Sequence, residues 1–295
     1  QVTKKEYESM SAQDLIDRIK DMKNITEDEA LALYSTYAYT NYKEDFYSRE
    51  ENITDEAFKI LKDDGCKIPY TTTIRDNMLH SENANVRAYA FTTIGGLFGT
   101  SSEEEKMAEE VLAKETEPVV LFAALRSLGG AVSNPAVAEF VLNMTEHENA
   151  NVRKQAALDI GSEWAMGIDG MVDAILKLMG DEDEEVRTCA YKYAGRLHDD
   201  RVIDPLEEIL KDSSLVRFHD ACITSLTYMW YDYPSHRYTN ERAYCITIDY
   251  LSQKPRNGDI PYWTTVGAFR SASSMGTSYE DWKKPLILMR QKLIT

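Results

Sequence analysis

Residues able to do chemistry are present in this sequence, but their spacing withholds most kinds of chemistry. The five histidines, His80, His147, His198, His219 and His236, contain no H-E-x-x-H or H-x-H arrangement, so no pair of imidazoles converges on a metal from one local segment. The acidic runs Glu103-Glu104-Glu105 and Asp181 to Glu185 lack the alternating ligands of a calcium loop. They stand instead at expected helix starts, where carboxylates are favoured by capping and by the helix dipole. No G-x-S-x-G elbow or G-x-x-x-x-G-K phosphate loop occurs. Cys66, Cys189, Cys222 and Cys245 form no C-x-x-C pair, and three of them fall among apolar neighbours in helical patterns, which predicts buried reduced thiols. No catalytic residue, metal or cofactor is expected. What remains is recognition chemistry: a few cations in an acidic chain, and an aromatic cluster, Trp230, Tyr231, Tyr233, His236 and Arg237, of the type used at binding hot spots.

The charge balance narrows the partners. The 295 residues carry a formal charge of −17. Residues 221 to 295 hold 9 Lys or Arg against 6 Asp or Glu, a local +3, so residues 1 to 220 carry 24 − 44 = −20. Sequence-independent nucleic-acid binding needs cations that displace phosphate counterions, and this body is the wrong sign for it. No apolar run approaches the roughly 20 residues of a membrane span, and Gln1 to Lys20 has no apolar signal core. A soluble, cytoplasmic protein is the expectation, with a leader removed before Gln1 left open. Oligomeric state is not legible.

The elements that must position these side chains follow from an internal repeat. Val86-Arg87 leads to Ala90, Ile94 and Gly95; Val120-Leu121 to Ala124, Leu128 and Gly129; Val152-Arg153 to Ala156, Ile160 and Gly161; Val186-Arg187 to Ala190, Ala194 and Gly195. Val216-Arg217 opens a fifth copy, with Asp220 at the Ala place and Ser225 at the Gly place. The Val steps are 34, 32, 34 and 30 residues. Within a copy the apolar positions fall 0, 4, 5 and 8 residues from the Val, one face of a helix. A small residue at position 4 admits a neighbouring helix, and Gly at position 9 suits a helix end. A second apolar helix precedes each polar turn, as at Ala136 to Met144 and Met171 to Met179, so the unit is a helix pair that must stack to bury both faces.

The polar turn, Val-Arg, Ala, an apolar residue and Gly, as in Asn149 through Gly161 and Asp183 through Gly195, resemble the HEAT repeat, in particular the short variety of bacterial and phycobilisome-lyase-like proteins. The resemblance covers residues 78 to 230. It implies an all-α fold, an α-solenoid of stacked antiparallel helix pairs. It also implies that Arg87, Arg153, Arg187 and Arg217 form an interior polar ladder with Asn85, Asn151, Asp183 and their neighbours, interrupted at Leu121. The single His147-Glu148 pair looks like those of the HEAT-type di-iron hydroxylase acting on deoxyhypusine, but that family repeats the pair on helices. Residues 1–295 are expected to form one continuous domain, with a degenerate N-terminal cap over 1–77, clear repeats over 78–230 and a C-terminal cap over 231–295. Thr26 with Glu29 fits a capping box in the first cap, a similar opening follows at Asn52-Ile53-Thr54-Asp55, and Thr277 with Glu280 opens a final helix.

In the HEAT family the Val-Arg helix lines the concave side, so positions 3, 6, 7 and 10 after the Val face the groove. That places Arg126, Gln155, Asp159, Lys192, Tyr193, Arg196 and His219 there. The expected function is a non-enzymatic scaffold that binds a protein or peptide through this face and the aromatic segment around Trp230 to Arg237. The alternative is a lyase, or a HEAT-like DNA glycosylase in which Asp159 and Trp164 hold the substrate.

Overall fold

A computed structural model describes residues 24–41, 71–92, 103–232, 237–238 and 240–253, with residues 14, 17 and 18. The expected openings at Asn52 and Thr277 lie outside these residues. Chain contacts gather into two compact units, Gln1–Val137 and Ala138–Thr295.

The described part of the first unit contains α1 (Glu27–Asn41), α2 (Thr72–Leu79), α3 (Ala84–Thr92), α4 (Glu103–Leu112) and α5 (Pro118–Leu128). The capping box at α1 forms as expected: the Thr26 amide donates to Glu29 Oε2 at 2.9 Å, and the Glu29 amide to Thr26 Oγ1 at 3.3 Å. Thr71 caps α2 in the same way, and Pro118 opens α5 at the first turn, where its missing N–H costs no hydrogen bond. α3 packs on α5 and on α1 and α2. Val86, Ala90, Val120, Ala124 and Leu128, the repeat positions, are all buried.

The second unit takes in most of α6 (Pro135–Met144), then α7 (Ala150–Ile160), α8 (Met171–Leu178), α9 (Glu184–Tyr193), α10 (Ile203–Lys211), α11 (His219–Trp230) and α12 (Glu241–Gln253). α7, α9, α11 and α12 form a row in which each packs on the next. A second layer covers this row, with α8 against α7 and α9, and α10 against α11 and α12. The fold is all-α, of the stacked-pair solenoid class that the repeat predicts. A two-residue antiparallel ladder, β1 (Tyr231–Asp232) with β2 (Arg237–Tyr238), is the β structure among the described residues.

At Gly161 and Gly195 the position-9 glycine serves packing rather than a left-handed helix end. Gly161 closes α7 at φ −74°, and a Cβ there would stand 2.2 Å from Tyr193 Cβ. At Gly195 a Cβ would stand 1.8 Å from the Ser225 carbonyl oxygen. Any side chain at either position would push successive row helices apart.

The fifth copy is displaced by two residues. Val216, expected to start it, is 55% exposed, whereas Phe218 is 3% exposed and takes the buried place. Cys222 and Leu226, four and eight residues on, are fully buried. Glycine contacts give the same register: Gly161 meets Tyr193, seven after Val186, and Gly195 meets Ser225, seven after Phe218. The step from Val186 is therefore 218 − 186 = 32 residues. The cause is local. Residues Ser213–Phe218 form a 3₁₀ turn with a kink at Leu215 (φ −101°, ψ 18°), so α11 starts at His219 rather than at the first residues of the Val-Arg pattern.

Among the described cysteines, Cys189 and Cys222 are buried free thiols, and burial raises both, Cys222 to about 12. Cys245, expected to be buried, is exposed on α12.

Candidate functional site

The conspicuous charged groups divide into those the repeat uses internally and those it leaves over. Arg153 belongs to the first set. Its Nη1 donates to the carbonyls of His147 and Glu148 at 2.9 Å each, closing the turn before its own helix. Its Nε and Nη2 reach across to the Asp181 carboxylate at 2.8 Å, in the next repeat's turn. Arg87 repeats the arrangement, with Ser81 and Glu82 carbonyls behind it and Glu115 ahead at 2.8 and 3.2 Å. Burial pushes the Glu115 and Asp181 carboxyls up, but the arginine bonds and charges outweigh it and hold both below their ordinary values. Arg187 clasps its own turn at Asp181 and Glu182 and extends over the Phe218 ring at 5.8 Å instead of onto a carboxylate ahead.

The partners correct the expected list. Glu115 and Asp181 are the acids bound ahead of Arg87 and Arg153, while Asn83, Asn149 and Asp183 accept the first helix amides as caps. Arg217 is outside this set: it is exposed, lies over the Phe218 ring at 4.3 Å and pairs with Glu184 at 3.2 Å. In the displaced register His219 stands where Arg would, one residue after Phe218. It is buried, with Nε2 2.9 Å from the Ile209 carbonyl and 3.1 Å from that of Asp212, and Nδ1 2.9 Å from Tyr250 Oη. Two carbonyls at Nε2 require its proton there, so Nδ1 accepts from the tyrosine. His219 is thus a buried turn clasp rather than the binding-face residue its spacing predicts.

The other expected face residues of the second unit come together. Lys192 Nζ lies 5.4 Å from the Tyr193 ring centre on α9. Arg196 follows in the 3₁₀ turn Ala194–Leu197. Its guanidinium sits 5.2 Å from the Tyr193 ring and 4.5 Å from that of Tyr228, with Nη2 3.3 Å from Tyr228 Oη and Nη1 3.4 Å from the Gly161 carbonyl. Tyr228 lies on α11, two residues before Trp230. Counted from Phe218 it falls at position 10, the position Arg196 holds in its own repeat, which is why the two meet.

Gln155 and Asp159 lie on α7, with Gln155 Nε2 donating to Asp159 Oδ1 at 3.0 Å. Asp159 is buried, its Oδ2 has no hydrogen-bond partner, and burial lifts the carboxyl to about 8 despite the Gln155 bond. At neutral pH it is mostly protonated, so it adds neither negative charge nor an open contact to the surface. Asp220 on α11 is likewise raised by burial, against the opposing charge of Lys192.

The remaining expected positions are separate. Arg126 belongs to the first unit, exposed on α5 with its guanidinium 6.0 Å from the Phe122 ring. Trp230 is not on a loop: it is fully buried as the last residue of α11, its Nε1 donating to Thr247 Oγ1 at 3.2 Å and its ring edge-on to Tyr244 at 5.5 Å. Tyr231 is half-buried on β1. Arg237 lies on β2 opposite Asp232, with its side chain outside the described set, as are Tyr233 and His236.

Elsewhere, a cavity of about 320 Å³ in the first unit is lined by Arg87, Glu110, Lys114, Glu115 and Glu117 among others, and Arg87 there is already committed to Glu115. Among the described residues no group of three His, Cys, Asp or Glu is placed to hold a metal, and no helix is long and apolar enough to cross a membrane.

The class these features define is a helical-repeat scaffold. Residues 137–226 match the family described as HEAT repeats. A comparison with curated proteins gave no match. Among solved structures, the chain is similar to the crystal structure of an engineered protein from the Northeast Structural Genomics Consortium, at 14% identity over 97% of this chain and 96% of that one. The TM-score of 0.31 is too low to bear on the fold, which rests on the helix packing and the family match.

Proposed function

We propose that the chain is a non-enzymatic scaffold that binds an acidic segment of another protein on the row face carrying Lys192, Tyr193, Arg196 and Tyr228. One observation carries this reading. Among the described side chains of the second unit, Arg153, Lys154, Lys177, Arg187, Arg201, Lys211, Arg217 and Arg242 each pair with a carboxylate. Lys192 and Arg196 instead meet tyrosine rings. In a chain of −17 these two cations are held by aromatic contacts and make no ion pair among the described residues, the half-buried Asp220 being the acid that feels the Lys192 charge. A carboxylate arriving from a partner supplies the missing counter-charge, and the flanking tyrosines offer apolar area and hydroxyls. Tyr231, Tyr233, His236 and Arg237, expected from the sequence to contact a partner, remain part of the proposal; Trp230 does not, because it is core.

The catalytic alternative would rest on Asp159, which is buried and which burial lifts to about 8, so it would enter as a mostly protonated acid rather than as a carboxylate. The test is fluorescence anisotropy with a labelled Asp/Glu-rich peptide and its Lys-rich counterpart. The acidic peptide should bind, weaken as ionic strength rises, and lose at least tenfold in affinity on Lys192→Glu with Arg196→Glu. Equal binding of both peptides, or no change on charge reversal, overturns the proposal.

A further inference from the structure

The partner segment carries an apolar side chain as well as acids, we infer, because the cation and tyrosine face continues into an exposed apolar step formed by Trp164 and Met166. This inference rests on the proposed acidic-peptide reading and specifies the partner's chemistry. Three large apolar side chains are exposed among the described residues: Trp164 at 60%, Met166 at 54% and Val216 at 55%. Single exposed apolar residues are ordinary on protein surfaces, but two of these three stand two residues apart at a turn that packs on the one carrying Arg196.

Their location follows from the backbone. After Gly161, the chain makes the 3₁₀ turn Glu163–Ala165. This turn packs against the 3₁₀ turn Ala194–Leu197, which carries Arg196. Arg196 also reaches back to the Gly161 carbonyl, three residues before Trp164. The sequence therefore places an indole directly beside the turn that holds the guanidinium. Ala165, between the two exposed side chains, is fully buried and anchors the turn, so Trp164 and Met166 project from a fixed support.

A partner that offered acids alone would pair with Lys192 and Arg196 and leave the indole and thioether in water. One with an apolar residue beside its acids satisfies both halves at once. Trp is the residue type most enriched among interface hot spots, and Met adapts its shape to varied apolar contacts. Charge complementarity fixes the sign of the segment and the exposed pair fixes its second ingredient.

The experiment uses the full chain and two labelled peptides, one of Asp, Glu, Gly and Ser, the other identical except for one Leu and one Phe. The apolar-bearing peptide should bind about tenfold or more tightly than the acidic one, and Trp164→Ala should remove that advantage while leaving the acidic peptide's affinity within about twofold. Far-UV circular dichroism and the melting temperature of Trp164→Ala should match the parent, since the side chain is mostly exposed. If Lys192→Glu with Arg196→Glu abolishes binding of the acidic peptide but the Leu and Phe confer no advantage, the inference fails and the acidic-peptide reading stands. If neither peptide binds, both fail. Sedimentation of the unliganded chain covers the other occupant: self-association lost in Trp164→Ala would assign the apolar step to a second copy and overturn the inference.

Discussion

Arg153 and Arg196 stand one repeat apart in the same row of helices and are used in opposite ways. Arg153 is buried, bound to two carbonyls of its own turn and to the Asp181 carboxylate of the next. Arg196 is half-buried between two tyrosine rings, with no carboxylate within ion-pair distance among the described residues. The first arginine spends its charge holding successive repeats in register; the second keeps its charge available. In an acidic repeat protein, counting cations therefore says little about partners. The informative cations are those left over after the fold has satisfied its own carboxylates.

The comparison breaks most readily at Arg153. Arg153→Ala leaves the half-buried Asp181 without its partner and two turn carbonyls unsatisfied, so it should cost up to about 3 kcal/mol in urea unfolding. The folded fraction should still bind acidic peptide with unchanged affinity. A loss below about 1 kcal/mol would show that the clasp is not structural.

Asp159 sharpens the contrast between paired and unpaired buried groups. Its folded value of about 8 lies above its ordinary 3.8, so between these values the folded state holds a proton that the unfolded state has released. The Asp159 contribution to stability should therefore be greatest below about pH 4, fall as pH rises by up to ~1.4 kcal/mol per unit, and level off above about pH 8, opposite in sign to the contributions of the lowered Glu115 and Asp181 carboxyls. In Asp159→Asn, which stays neutral, that component of the slope should vanish in chemical unfolding measured across the window. An unchanged slope would place the titration elsewhere.

The next effect separates two neighbours in the fifth copy. His219→Ala leaves the turn carbonyls it clasps without their donor and should cost about 1–3 kcal/mol. Arg217→Ala removes an exposed pair and a ring contact and should change stability by no more than about 1 kcal/mol. The reverse order would restore the register that starts at Val216.

Much of this was legible in the residues, for identifiable reasons. The Val, Ala and Gly spacing predicts the stacked pairs because helix contacts repeat and small residues recur wherever neighbouring helices approach most closely. Thr26 and Glu29 predict their capping box because that signal is entirely local. Lys192, Tyr193 and Arg196 were named from the face that the HEAT resemblance implies, and their side chains do meet one another. The fifth copy was misread because a kinked 3₁₀ turn shifts the register without leaving a signature in apolar spacing, and because a histidine replaces the arginine. With that shift Tyr228 also escaped, since its pairing with Arg196 spans a whole repeat. Trp230 sits beside a Tyr- and Pro-rich connection, yet its place is decided by α12, whose Thr247 accepts its N–H. Asp159 stands at a face position in the pattern, yet it is buried, which periodicity along one helix does not reveal.

The central claim is that Lys192 and Arg196 serve a partner rather than the fold. The direct measurement pairs the melting temperature and acidic-peptide affinity of Lys192→Glu with Arg196→Glu on the full chain. The account predicts a stability loss of about 1–2 kcal/mol, from the lost ring contacts, and at least a tenfold loss of affinity. A collapse of stability comparable to Arg153→Ala, or undiminished affinity in a folded variant, would contradict it.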